Sequence, residues 1–306
     1  MICLKPPFRQ QLISDVPLGV FLSGGTDSTI VTGLAKETKA DIHTYTVVFD
    51  DPQLQSYNEQ RIARITSNHL HTTHNELVVS SPNPLEMLNL VEFFDQPFGN
   101  PTSYLMWLIS KYAREHIVVA LCGAGGDELY VGYPRYLAAK LARLLSHIPY
   151  ELFRPIQYLA DHLSDKYKTP RIRRIKKFLH GLDKNFTHQF MKWIYFMDEP
   201  QKQMLLANHD NSIAPSVRIL DKTLDGTFSD FNNLLLMDTQ TFLPNNLLEY
   251  TDKMAMATAL EVRVPFLDHN FIEFSLNVPF HLKLRGTKTK WLLAQLSQLG
   301  DETVIF

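Results

Sequence analysis

Two glycine loops hold the residues whose types and spacing suit chemistry. The first reads Ser23-Gly24-Gly25-Thr26-Asp27-Ser28 and the second Cys122-Gly123-Ala124-Gly125-Gly126-Asp127-Glu128. Glycine lets a backbone come close to an anion, and serine hydroxyls add donors. A bare carboxylate repels phosphate, so Asp27 makes sense in such a loop if Mg²⁺ sits between the two. Asp127 is its natural partner, since two aspartates at adjacent strand ends can share one hydrated Mg²⁺. Taken alone, the second loop also reads as a glycine turn whose Asp127 and Glu128 start a helix. Paired with the first loop, it favours the metal.

Each loop follows an apolar run, as a buried parallel strand would end. Val20, Phe21 and Leu22 precede the first loop, and Ile117 to Leu121 precede the second. Thr29 to Lys36 continues the first loop as a helix, whose N-terminal N–H groups and partial positive charge suit a phosphate. His43 to Phe49 and Thr72 to Val79 read as further strands. Asn58 to Asn68, a stretch opened by Pro82-Asn83-Pro84 and running to about Glu92, and Thr102 to Glu115 read as helices. Strands alternating with helices predict a doubly wound parallel α/β sheet, with ligands beyond the carboxyl ends of its strands. Strand signals largely stop after Tyr136, which predicts an α/β core over about 14–140 and a mostly helical part over about 141–306. Pro6-Pro7 reads as a linker, and Arg9 to Ile13 as the tail of a helix.

The first loop is not a Walker A loop, because no Gly-Lys-Ser/Thr follows at the required spacing. Ser-Gly-Gly-x-Asp-Ser instead resembles the pyrophosphate loop of ATP pyrophosphatases. The wider resemblance is to the synthetase domain of glutamine-dependent asparagine synthetases. It rests on four segments in that family's order: Ser14 to Ser28, Asp95-Gln96-Pro97-Phe98, Gly125 to Tyr136, and Ala259 to Asp268. They span nearly the whole chain.

The resemblance implies an adenine nucleotide hydrolase-like fold and an ATP-dependent amide-forming ligase. ATP would bind with its pyrophosphate on Ser23, Gly24, Gly25, Asp27 and Ser28. Leu22 and Val48 would flank the adenine, and Cys122 and Gly123 would contact the nucleotide. Asp27 and Asp127 would hold Mg²⁺. The β-carboxylate of aspartate would attack the α-phosphorus, and ammonia would then displace AMP. Asp27, Asp127 and Glu128 are the expected catalytic residues, with Asp95, Glu128, Glu261 and Arg263 around the substrate and Lys288 on the phosphates. Lys290 is a second candidate cation, and a solvated helix face explains both lysines nearly as well. Glu261 and Arg263 also fit a buried ion pair fixing the helical part against the core, the favoured reading of that pair.

Three departures from the family pattern stand out. The family usually has an acid at the position of Ala124, taken to accept a proton from attacking ammonia. General-base help is worth roughly 10²–10⁴-fold, and a methyl group cannot supply it. Cys3 sits one residue late for the family's glutaminase nucleophile, and no glutaminase domain follows, so free ammonia or a separate glutaminase subunit is expected. The chain also stops at Phe306, before a further basic segment of the family, as a truncated or degenerate copy would. The alternatives are therefore adenylation of another carboxylate, or a catalytically silent nucleotide-binding subunit.

Other conspicuous residues read as structural. His69, His71 and His74 lack a completing cysteine or acid for zinc, and strand alternation would split His71 from His74. The basic run Arg171 to Phe178 reads as a solvated helix face. The 306 residues carry a net charge of −2, which gives no argument for nucleic acid or an anionic membrane. No apolar run approaches the ~18 residues of a bilayer span. Two cysteines make no disulfide framework, which fits a reducing cytoplasm.

Overall fold

A computed structural model describes residues 5–298 apart from 40, 81–82, 154, 157, 159–169, 184, 196 and 206–215. Cys3 and the chain's last residues fall outside that range. The chain forms two compact units, Met1–Val131 with Thr241–Phe306, and Gly132–Gln240.

The first unit is built on a five-stranded sheet of order β3-β2-β1-β4-β5. All its pairings are parallel. The strands are β1 (Leu18–Phe21), β2 (His43–Phe49), β3 (Thr73–Val79), β4 (Val119–Leu121) and β5 (Glu261–Arg263). All four β1 residues are buried, as a central strand covered on both faces requires. Gly19 sits where β1 meets both neighbours, opposite His43 and Ala120. A Cβ there would come within 2.9 Å of the His43 carbonyl oxygen and 2.8 Å of Ile117, so no side chain fits.

Helices separate the strands: α1 (Lys5–Gln11), α2 (Thr26–Thr38), α3 (Gln60–Leu70), α4 (Pro84–Leu90), α5 (Thr102–Ala113) and α6 (Gly126–Leu129). Pro6 and Pro7 lie in the first turn of α1 rather than in a linker; their missing N–H groups cost nothing there. Asn83 caps α4, its Oδ1 accepting from the Leu85 N–H at 3.1 Å, with Pro84 at the first helical position. His71 is not a strand residue. It ends α3 with a left-handed φ of 51°, while His74 lies on β3 with Nδ1 2.9 Å from the Thr44 hydroxyl. Phe21, Tyr45, Ile109, Ala113, Ile117, Ala120 and Leu260 form the core over one face of the sheet.

The fifth strand departs from the expected pattern. Glu261–Arg263 rejoins the sheet beside β4, with Leu121 opposite Arg263. Three residues with two charged side chains carry little strand signal. What places them is the ladder, including the Cys122 N–H donating to the Arg263 carbonyl at 2.9 Å.

The second unit is helical, including α7 (Pro134–Leu145), Pro170–Gly181, Phe186–Ile194 and Asp230–Gln240. Asp238 is fully buried there, accepting from Arg135 Nε at 2.9 Å and from the Tyr136 hydroxyl. The Arg135 guanidinium lies 4.0 Å from the Tyr133 ring. Within Pro170–Gly181, Arg174 and Lys177 are exposed, as a solvated basic face requires.

Candidate active site

The strand order turns back on itself at β1: the chain runs outward through β2 and β3, then returns to β4 on the other side. Such a switch point opens a crevice beyond the strand ends. Both glycine loops lie there, one after β1 and one after β4.

The first loop is held by its own hydroxyls. The Gly25 N–H donates to Ser23 Oγ at 3.2 Å, Ser28 Oγ donates to the Gly25 carbonyl at 3.1 Å, and the two serine hydroxyls are 3.0 Å apart. Gly24 needs its lack of a side chain twice. Its φ is +86°, and a Cβ would lie 2.9 Å from the Ala63 nitrogen in the first turn of α3. The start of α3 is thus packed on the loop. Leu22 is buried, with its N–H donating to the Tyr45 carbonyl at 2.9 Å, and Val48 is buried on β2.

The second loop is fitted to the first. A Cβ on Gly123 would lie 2.9 Å from the Ser28 nitrogen, and one on Gly126 would overlap the Asp27 carboxyl. Gly125, at φ +93°, would overlap Leu267. Small residues here make room for Asp27 and for the Pro265–Leu267 turn. Ala124 presents only a half-buried methyl group.

One cation joins the loops. Lys290 Nζ is 2.6 Å from Asp27 Oδ2 and 2.5 Å from Asp127 Oδ1. Asp27 Oδ1 is buried and has no hydrogen-bond partner among the described residues. Burial pushes the Asp27 carboxyl up to about 6 against the pull of Lys290, and Asp127 adds to the rise. Burial alone would lower the Lys290 ammonium, but the two carboxylates outweigh it and raise its pKa. Lys290 itself has a left-handed φ of 51°, its N–H donates to the Tyr130 carbonyl at 3.2 Å, and its carbonyl accepts from Ala294 in the helix Trp291–Gln298. A non-glycine residue in that region costs roughly 1–2 kcal/mol, and such strain gathers at functional sites.

Asp27, buried with one oxygen unpartnered among the described residues, and the part-exposed Asp127 suit Mg²⁺, which is commonly held by one or two carboxylates plus substrate phosphates and water. Among the described residues no group of three or more His, Cys, Asp or Glu is placed to hold a metal alone.

Glu59 went unnoticed in the sequence. It stands just before α3, without a side-chain capping bond; burial raises its carboxyl pKa, Lys290 opposes the rise, and Asp127 adds to it. Tyr250 is a second such residue: burial pushes its hydroxyl pKa up, and the neighbouring Cys122 and Glu128 add to this. Glu128 is fully buried in α6, and burial raises the Cys122 thiol.

The remaining expected residues lie elsewhere. Lys288 is exposed and pairs through its backbone with Arg285, so Lys290 is the lysine that reaches the loops. Asp95 is 92% exposed and pairs with Lys253, which also reaches Glu249 at 3.8 Å. Arg263 holds Glu261 at 2.5 Å and donates to the carbonyls of Gln11 and Ile13, both at 2.7 Å. Glu261 is half exposed, so this is no buried pair. What Arg263 fixes is the end of α1 and the residues just after it against the sheet edge.

Comparison with known proteins agrees with this arrangement. A family model described as Asparagine synthase matches residues 4–298. Asparagine synthetase [glutamine-hydrolyzing] 1 of Bacillus subtilis is 30% identical over 93% of the chain and 44% of its own length. A putative asparagine synthetase [glutamine-hydrolyzing] of Mycobacterium tuberculosis is 26% identical over 95% of the chain and 43% of its own length. Amidase chyE of Penicillium rubens is 25% identical over 90% of the chain and 45% of its own length. The chain thus spans less than half the length of these relatives. With the family match running through both glycine loops and on past Lys290, the chain belongs to the asparagine synthase family.

Proposed function

We propose that this chain performs the ATP-consuming half of asparagine synthesis, joining the β-carboxylate of aspartate to AMP, releasing pyrophosphate, and letting ammonia displace AMP. The observation that supports it most is the meeting of Asp27, Asp127 and Lys290 at the switch point of the sheet. Ser23, Gly24, Gly25 and Ser28 offer backbone and hydroxyl donors to the departing pyrophosphate. Lys290 supplies a positive charge where negative charge accumulates on the leaving group. Mg²⁺, held by Asp27 and Asp127, would stabilise the same charge as a Lewis acid. Leu22 and Val48 provide an apolar edge for the adenine, and Glu128 faces the acceptor beside Tyr250. Ammonia enters free or from a glutaminase, the activity printed in the names of the bacterial relatives.

The test is release of AMP and pyrophosphate from ATP with Mg²⁺, aspartate and ammonium, with asparagine scored in the same tube. AMP together with asparagine is the expected result. General-base help is worth roughly 10²–10⁴-fold, so Ala124→Asp is expected to raise the asparagine yield per AMP. ATP bound without AMP, whatever the acceptor, would refute the proposal.

A further inference from the structure

Lys290 stands where a divalent cation shared by Asp27 and Asp127 would stand. Its ammonium makes two short charge-assisted bonds, one to each carboxylate, at 2.6 and 2.5 Å. Its side chain is only 18% exposed, and Asp27 only 10%. The backbone holds it there: φ is 51°, and the N–H is bound to the Tyr130 carbonyl, one residue beyond α6. A bare metal ion entering the pair would have to break both bonds. It would also leave an ammonium next to a dication in a mostly buried place, where repulsion is little screened.

A metal carried on a polyphosphate meets a different site. Its phosphate oxygens give the displaced ammonium new acceptors, so the repulsion is cancelled in the step that creates it. From this geometry we infer that Lys290 is a built-in occupant of the metal position, which excludes a free divalent cation and yields only to one bound to a polyphosphate. The inference rests on the reading of Asp27 and Asp127 as the metal pair. It adds an order of binding: metal and polyphosphate enter together.

The experiment measures Mn²⁺ affinity of the full chain by electron paramagnetic resonance with no nucleotide added. Lys290→Met should bind Mn²⁺ at least tenfold more tightly than the wild type, and Asp127→Asn added to it should abolish the gain. Circular dichroism checks that each variant is folded. The wild type provides a second readout that needs no variant. Acylation of Lys290, followed by mass spectrometry, should be unchanged by Mn²⁺ alone and change at least threefold when Mn²⁺ and pyrophosphate are added together, because only then does the lysine leave. Equal affinity of wild type and Lys290→Met, or acylation that responds to Mn²⁺ alone as it does to Mn²⁺ with pyrophosphate, would overturn the exclusion while sparing the metal pair. No Mn²⁺ bound to any form, even with pyrophosphate, would overturn both.

Discussion

Gly126→Ala separates the geometry of the site from the stability of the fold. The added Cβ would overlap the Asp27 carboxyl, lying 2.7 Å even from the more distant Oδ1. Nothing in the backbone of Gly126 demands glycine, since its φ is not among the positive ones. The conflict is therefore with one side chain. To reach ordinary contact the Asp27 carboxyl must retreat by about 1 Å, a shift comparable to the displacements that cost about 10²-fold in well-positioned reactions. Its bond to Lys290, now 2.6 Å, would stretch or break. Overpacking of this size costs about 1–3 kcal/mol, offset in part by alanine's better helix propensity, so the variant should fold. AMP release from ATP is thus expected to fall about a hundredfold, with a thermal midpoint only a few degrees lower. An enzyme within threefold of wild-type rate would show that the carboxyl position does not set the rate, and the argument would fail.

Three further predictions concern charge. Asp27 has its carboxyl raised to about 6 from an ordinary 3.8, so the folded state holds the proton more tightly than the unfolded chain. This group's contribution to stability therefore falls as pH rises from about 4 to about 6. Urea unfolding should show that decline in wild type but not in Asp27→Asn, and parallel declines would refute it. Lys283 has the opposite sign. It is fully buried, its Nζ has no hydrogen-bond partner among the described residues, it lies 5.9 Å from the Tyr130 ring, and burial pushes it down to about 7. Its contribution improves as pH rises from about 7 towards its ordinary 10.5. Lys283→Met should stabilise the protein by about 2–4 kcal/mol at pH 6 and remove that pH dependence; a less stable variant would count against the reading. Arg263→Ala should cost about 1–2 kcal/mol by freeing the carbonyls of Gln11 and Ile13, with KM for ATP unchanged. A marked rise in KM would bring Arg263 back to the site.

The parts of the site visible in the sequence are those written in contiguous residues. Val20–Leu22 and Ile117–Leu121 read as strands because they are apolar and short, and the glycines after them mark loops whatever the tertiary context. His43–Phe49 is a strand over those very residues. Lys290 could not be chosen over Lys288 from the sequence. Two lysines two residues apart look alike until the Arg285–Lys288 bridge and a left-handed backbone send one inward and leave the other outside. Glu59 precedes an ordinary amphipathic helix, and it is Gly24, with no side chain, that lets that helix pack on the loop. Strand β5 is too short and too charged to announce itself, and the partner that defines it lies about 140 residues earlier.

The two groups that meet most closely in the site, Asp27 and Lys290, are 263 residues apart in the chain. The edge of β4 is likewise closed only when residues 261–263 arrive. During synthesis the chain would expose both glycine loops and an open sheet edge long before their partners leave the ribosome. An unpaired edge is an invitation to pairing with other chains, and two aspartates without their lysine are carboxylates with no counter-charge. Arrival of residues 261–290 ends both exposures: the stretch of chain that finishes the sheet edge also brings the ammonium to its carboxylates.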